Sequence, residues 1–148
     1  MSLSASVGIR KKDIQKDIVL PLIREFDKSQ EMNLAKTILE EVRSTDYGFY
    51  NVEKLKASLA DHTKPHPPWN EPADGKIRFS FDKLLDFFSK LEYLLSIGLL
   101  TDKEIDYFRY YIDKAGRNEA VVNYVIAYNF PLHKRLHPKL DSTQRDGT

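Results

Sequence analysis

The sequence predicts an all-α protein, an irregular bundle of roughly five to seven helices around a central helix at 81–97. Three observations carry this prediction. Apolar residues return every three to four positions along most of the chain, capping residues punctuate those stretches, and one stretch is apolar around most of its circumference. At 148 residues the chain is expected to form a single domain, 1–148, with frayed polar tails at 1–8 and 141–148.

From Ile9 to Phe26 the apolar positions Ile9, Ile14, Ile18, Leu22, Ile23 and Phe26 fall at helical spacing, with Arg10, Lys11, Lys12, Asp13, Lys16 and Asp17 between them. Pro21 has no N–H to give the carbonyl one turn back, so a kink or a division into two shorter helices is expected there. Ser29 stands where an N-cap belongs, and Met32, Ala35, Ile38, Leu39 and Val42 form the stripe of a helix over about 30–43. Asn51 is placed to cap a short helix through Val52, Leu55 and Leu59.

Residues 62–79 interrupt the pattern. Pro65, Pro67, Pro68, Pro72 and the Asp74–Gly75 pair predict a proline-rich irregular loop, with Ile77 and Phe79 as a short extended stretch at its end. Ser80 then reads as the N-cap of the central helix, whose Phe81, Leu84, Leu85, Phe88, Leu91, Leu94 and Leu95 share a stripe that Phe87 and Tyr93 widen. Gly98 closes it in the left-handed conformation. Thr101 to Glu104 reads as a capping box in which each of the two side chains satisfies a backbone donor. The helix that follows carries Ile105, Phe108, Tyr111 and Ile112 to a glycine stop at Gly116. Asn118 caps another helix on Val121, Val122, Val125 and Ile126, and Pro131 and Pro138 bracket a last turn or two with Leu132 and Leu136.

Composition removes several kinds of chemistry. Apolar residues are 41% and charged residues 30% of the chain, the balance of a globular protein, and eight Phe, eight Tyr and one Trp make the core aromatic. Without cysteine there are no disulfides, thiol nucleophiles or thiolate metal sites. Lys and Arg number 23 against 22 Asp and Glu, so a duplex-coating electrostatic footprint is missing and nucleic acid is an unfavoured partner. No run of about 18 apolar residues marks a membrane span, and Met1 to Gly8 lacks the order of a secretory signal, so the expected setting is cytoplasmic.

His133 and His137 are four apart and on a helix would share a face, as two corners of a zinc site do. Lys134 stands where the hydrolytic zinc motif has glutamate, and spacing supplies no third ligand, so no metal or other cofactor is expected. His62 and His66 share that spacing, but Pro65 lies between them and makes them loop histidines. No nucleophile–base pair, Rossmann fingerprint or phosphate-cradling glycine loop appears, so no catalytic residue is assigned. Asp86 and Glu92 belong to the surface unless they face the core, where burial would raise their pKa and mark a site.

Partner contacts are expected at Trp69 and His66, because a tryptophan in a proline-rich excursion suits a docking tongue. Tyr107 and Tyr110 with Arg109 are a second candidate, since aromatics beside arginine are enriched at protein interfaces. The competing explanation is ordinary packing, with rings on the core and hydroxyls at the rim. Arg10, Lys11 and Lys12 near the start and Lys134, Arg135 and Lys139 near the finish would form a modest cationic patch if the two ends meet.

The segments LIREFDKSQEMNLAKTILEEV and LLDFFSKLEYLLSIGLLTDKEIDYF, followed by an aromatic-containing helix that runs into Pro138, resemble a group of small uncharacterised helical domains of bacteria and their phages. The resemblance spans Leu22 to Leu140 and implies a helical fold; it transfers no catalytic residue. Members often carry a membrane helix ahead of the domain, and none is read here.

The expected function is a non-enzymatic interaction module with a protein partner, or a homodimer through surplus apolar surface of the central helix. One alternative is a ligand-binding or enzymatic domain with an inter-helix pocket lined by tyrosines and Glu92 or Asp86. Another is nucleic-acid binding through the terminal basic patch.

Overall fold

The computed structural model describes residues 15–41, 52–59 and 72–144. A π turn, Gln15–Val19, leads into α1 (Leu20–Lys28), followed by α2 (Gln30–Glu41), α3 (Val52–Ser58), α4 (Pro72–Ser96), α5 (Asp102–Ile105), a 3₁₀ turn (Asp106–Phe108), α6 (Arg109–Gly116) and α7 (Glu119–Ala127). No strand occurs among the described residues, and the architecture is the predicted all-α bundle.

The break expected at Pro21 is a change of helical type. The π turn gives way to α1 at Leu20, which places Pro21 in the first turn of α1, where proline is best tolerated. Ser29 closes α1 and opens α2, accepting the Met32 N–H on its hydroxyl at 3.2 Å. Met32, Ala35, Ile38 and Leu39 are buried as the stripe predicted. Val42 and the proposed Asn51 cap lie outside the described residues.

The central helix begins earlier than the sequence suggested. Residues 72–79 are the first two turns of α4 rather than the end of a loop, and the extended stretch at Ile77 and Phe79 is helical. Pro72 reads as a breaker in sequence but is the first residue of the helix, a position proline favours. Ile77 is buried in register with Ser80, Phe81, Leu84, Leu85, Phe88 and Leu91. Ser80 is therefore an interior residue, not a cap, and its buried hydroxyl accepts the Ala35 N–H at 2.8 Å. Residues 62–71 lie outside the described residues.

Pairs along α4 fix the topology. Ala35 meets Ser80, Glu31 reaches Lys83 at 4.0 Å and Glu25 reaches Lys90 at 3.0 Å, so α1 and α2 run in tandem antiparallel to α4. On the other side α3 packs against α4 and α7, and α6 packs against α2 and α7. Phe26 is the hub where these layers meet. Its ring centroid lies 5.3 Å from Phe87, 5.2 Å from Phe108 and 5.4 Å from Tyr111. Each such aromatic pair adds about 0.5–1.5 kcal/mol beyond the area buried.

Two helix ends have the Schellman geometry. Gly98, at φ 77°, lets the Leu99 N–H reach the Leu94 carbonyl at 2.9 Å, as predicted. Asn129, at φ 54°, does the same at the end of α7, with Phe130 N–H on the Val125 carbonyl at 3.2 Å and the Phe130 ring against Tyr124 at 5.4 Å. Asn118 caps α7 as predicted, its side chain accepting the Val121 N–H at 3.2 Å.

Two other caps differ from expectation. The Thr101 hydroxyl donates to the Glu104 carboxylate and neither caps a backbone N–H, although the helix does begin at Asp102. Gly116 does not sit in the left-handed region; it is glycine because the His137 ring lies on it, where a Cβ would stand 2.3 Å from Cε1.

After α7 the chain forms a non-helical strap, residues 131–144, that buries Leu132, Leu136 and Leu140. Residues 141–144, which the sequence placed in a polar tail, are tied down. Ser142 N–H donates to the Leu132 carbonyl at 2.9 Å, and Gln144 Nε2 to the Pro138 carbonyl at 2.7 Å.

Phe26→Ala removes the hub ring and is expected to lower the unfolding free energy by about 3–5 kcal/mol, read by urea denaturation. Two glycines separate packing from propensity. Gly116→Ala drives a methyl into the His137 ring and destabilises by about 1–3 kcal/mol. Gly75→Ala meets nothing within 4 Å on the exposed first turns of α4. It stabilises by up to about 1 kcal/mol.

Candidate functional site

Helices α5 and α6 and the 3₁₀ turn between them form one nearly continuous rod, flanked by Thr101 before it and Arg117 after it. From it Tyr107 reaches α1 and Tyr111 reaches α2, with Tyr110 beside Tyr111. Tyr107, 50% exposed, donates its hydroxyl to Asp27 at the end of α1. Tyr111, half-buried, donates to Glu40 near the end of α2. Tyr110, 55% exposed, stands edge-on to Tyr111 with centroids 5.0 Å apart, and Lys114 Nζ lies 5.5 Å from its ring centre.

Behind these rings Lys36 is buried. Its ammonium donates to the Phe26 carbonyl and sits 4.2 Å from the Phe26 centroid and 5.8 Å from that of Tyr111. Loss of water lowers its pKa, and Asp27 and Glu40 act against that shift. The tyrosine hydroxyls are correspondingly hard to ionise. The bond to Asp27 raises the Tyr107 pKa, while burial and then Glu40 push Tyr111 up to about 12. At neutral pH both hydroxyls are therefore donors, and each holds a carboxylate beside its ring.

A third pair of this kind lies elsewhere. Tyr124 on α7 donates to Asp82 on α4 with Arg78 alongside, and burial raises its pKa. This bond is largely enclosed and ties α7 to the central helix.

The other sequence candidates are dispersed. Arg109 points away from Tyr107 and Tyr110 and gives its guanidinium to the Leu136 carbonyl at 2.8 Å, so it holds the strap. Trp69 and His66 lie outside the described residues, as do His62 and Arg10, Lys11 and Lys12 of the basic patch. Lys134, Arg135 and Lys139 are exposed on the strap. His133 and His137 are not on a helix and do not converge: His133 Nδ1 lies 4.0 Å from Asp141, and His137 Nε2 lies 3.5 Å from Asp113. No group of three or more His, Asp or Glu placed to hold a metal occurs among the described residues.

Of the two central-helix carboxylates, Asp86 is exposed and Glu92 is only 5% exposed. Glu92 faces the strap, where the Leu136 N–H supports it, while its Oε2 has no partner among the described residues. Burial raises its pKa; His133 and Arg135 oppose the rise. It lines neither of two open grooves. One, of about 440 Å³, lies between Leu34 on α2 and Phe79 on α4; the other, of about 240 Å³, lies between Met32, Lys83 and Asp86.

The chain matches no protein-family model, no curated protein and no solved structure. No helix among the described residues is long and apolar enough to cross a membrane.

Two titrating groups of opposite sign meet at the strap, His137 on it and Glu92 on α4 beneath it. His137 accepts the Lys139 N–H on Nδ1 at 3.1 Å, which only an unprotonated nitrogen does. Burial lowers its pKa, as do Arg109, Arg117 and Lys139, while Asp113 opposes them. Its contribution is complete above the unfolded value of about 6.5 and is lost as pH falls through the lower folded value. For Glu92, with a raised folded pKa, stability is complete below the usual carboxylate range and is lost as pH rises through the folded value. Unfolding between about pH 7.5 and 5 is expected to show a loss on acidification that His137→Asn reduces, and Glu92→Gln is expected to stabilise the protein at the upper end.

Proposed function

We propose that the protein is a non-enzymatic interaction module that docks a cytoplasmic protein partner on the face carrying Tyr107 and Tyr110. The observation behind this reading is that two large aromatic side chains, each about half exposed, stand one helical turn apart on a rod fixed by bonds to Asp27 and Glu40. Tyrosine is enriched at interface hot spots because it offers a wide rigid ring and a polar tip at small entropic cost. Here most of that cost is met before a partner arrives, since the Tyr107 hydroxyl is bonded and Tyr110 packs against Tyr111 and Lys114.

The reading as an enzyme or ligand binder is less well supported. Of the two carboxylates on which an inter-helix pocket would depend, Glu92 is turned to the strap and lines neither groove. Asp86 lines the smaller groove from an exposed position, its pKa raised by loss of water and by Asp82, with no tyrosine on the same lining. Against nucleic-acid binding, 23 Lys and Arg are balanced by 22 Asp and Glu over the chain, which gives no net cationic footprint.

The double variant Tyr107→Ala/Tyr110→Ala tests the proposal. It is expected to keep the helical circular-dichroism spectrum and to lose the partner, with a drop in affinity of about tenfold or more. Light scattering over a concentration series identifies the case in which that partner is a second copy. Capture of the same partner with equal affinity by wild type and double variant would sink the proposal.

A further inference from the structure

The tyrosine face has a chemistry more specific than exposed aromatic area. Asp27 is exposed and accepts the Tyr107 hydroxyl, and among the described residues it forms an ion pair with no lysine or arginine. An ionised carboxylate offers about four acceptor positions, and one hydroxyl leaves most of them free. Nearby, Asp27 and Glu40 both act on the buried ammonium of Lys36, which donates to the Phe26 carbonyl, so two exposed carboxylates stand near one buried cation. The rings of this region already attract cations from within the chain, Lys36 over Phe26 and Lys114 over Tyr110, while for Tyr107 no such cation is found among the described residues.

We propose that the face is a receptor for an arginine side chain of the partner, whose guanidinium stacks on the exposed side of the Tyr107 ring, left uncovered by its 5.2 Å T-shaped contact with Phe108, and donates to the remaining acceptor positions of Asp27. The proposal rests on the docking reading above and adds the partner's chemistry to it. Because the Tyr107 hydroxyl holds Asp27 at the outer end of the ring, a flat cation on that ring has the carboxylate at its edge. Guanidinium satisfies both surfaces at once, being planar for the ring and forked for the carboxylate; a lysine ammonium matches only the charge. An acidic segment meets Asp27 and Glu40 as like charges. A purely apolar one buries Asp27 with acceptors unpaired, which is costly.

The test is a nuclear magnetic resonance titration of the full chain with hexa-arginine, hexa-lysine and hexa-glutamate peptides. Hexa-arginine is expected to move the Tyr107 ring and Asp27 amide signals saturably, to bind about threefold to fivefold more tightly than hexa-lysine, and to weaken as salt is raised. Hexa-glutamate is expected to leave these signals in place. Asp27→Asn keeps an acceptor but removes the charge, and is expected to weaken hexa-arginine binding by about threefold to fivefold with an unchanged circular-dichroism spectrum. Tyr107→Phe, which keeps the ring without the hydroxyl, is expected to bind more tightly than Tyr107→Ala.

Equal binding of the arginine and lysine peptides, an unaffected Asp27→Asn variant, or shifts that map away from Tyr107 would each overturn the proposal. The two readings fail separately. If hexa-arginine leaves Tyr107 unmoved while Tyr107→Ala/Tyr110→Ala still loses the partner, the arginine specificity falls and the docking face stands. If hexa-arginine titrates Tyr107 but the double variant keeps the partner, the docking reading falls.

Discussion

The ring of Phe26 is the contact on which the packing of the other helices depends. It lies near the end of α1, yet it touches α4 through Phe87, the 3₁₀ turn through Phe108 and α6 through Tyr111. The same residue also supplies a polar anchor. Its carbonyl belongs to the last turn of α1, where acceptors have no intrahelical donor, and the Lys36 ammonium fills that vacancy from α2. A lysine this deep gives up water at a cost of several kcal/mol in principle. Here the Phe26 carbonyl, two ring faces and the nearby Asp27 and Glu40 compensate it, so one residue organises both the apolar and the charged side of the α1–α2 corner.

Around this hub the helices are tied by tyrosine-to-carboxylate bonds across 80, 71 and 42 residues of sequence, from Tyr107, Tyr111 and Tyr124 to Asp27, Glu40 and Asp82. A phenol suits the role because its ring can lie on the core while its hydroxyl reaches the rim, where a carboxylate stays hydrated. The burial of each pair then decides its use. Tyr124 and Asp82 are largely enclosed and act as structure, whereas Tyr107 and Asp27 remain open on one side. An open pair held in fixed geometry is already organised for a third group, and this is why a structural tie is also the best candidate for a docking point.

Local chemistry was legible in the sequence, and long-range chemistry was not. Ser29, Asn118 and Gly98 do what their positions announced because each acts on backbone groups within a turn of itself. Pro72 and Gly75 misled because the same residues that break a helix interior are tolerated in its first turns; the buried Ile77, in register with Phe81 and Leu84, was the available signal for the earlier start. Ser80 and Gly116 were assigned to caps, but distant residues explain them, Ala35 in one case and His137 in the other. The site shows the same division. Tyr107 and Tyr110 stood out in the sequence as aromatics on a helix, but their separation from Arg109 required the strap, and the partnership with Asp27 required α1.

The two most buried charged side chains among the described residues, Lys36 and Glu92, illustrate how differently such groups can be treated. Lys36 is given an acceptor and opposite charges, whereas Glu92 has one oxygen supported by the strap and the other left without a partner among the described residues. Buried charge without full pairing is costly, so the element that covers it must be held by other contacts strong enough to offset that cost. The strap meets that condition: three leucines anchor it in the core, Arg109 holds the Leu136 carbonyl, and His137 rests on the bare backbone of Gly116. The desolvation of Glu92 is therefore offset where α4 meets the strap, and the pH response belongs to the carboxy-terminal side of the bundle, where His137 and Glu92 both titrate.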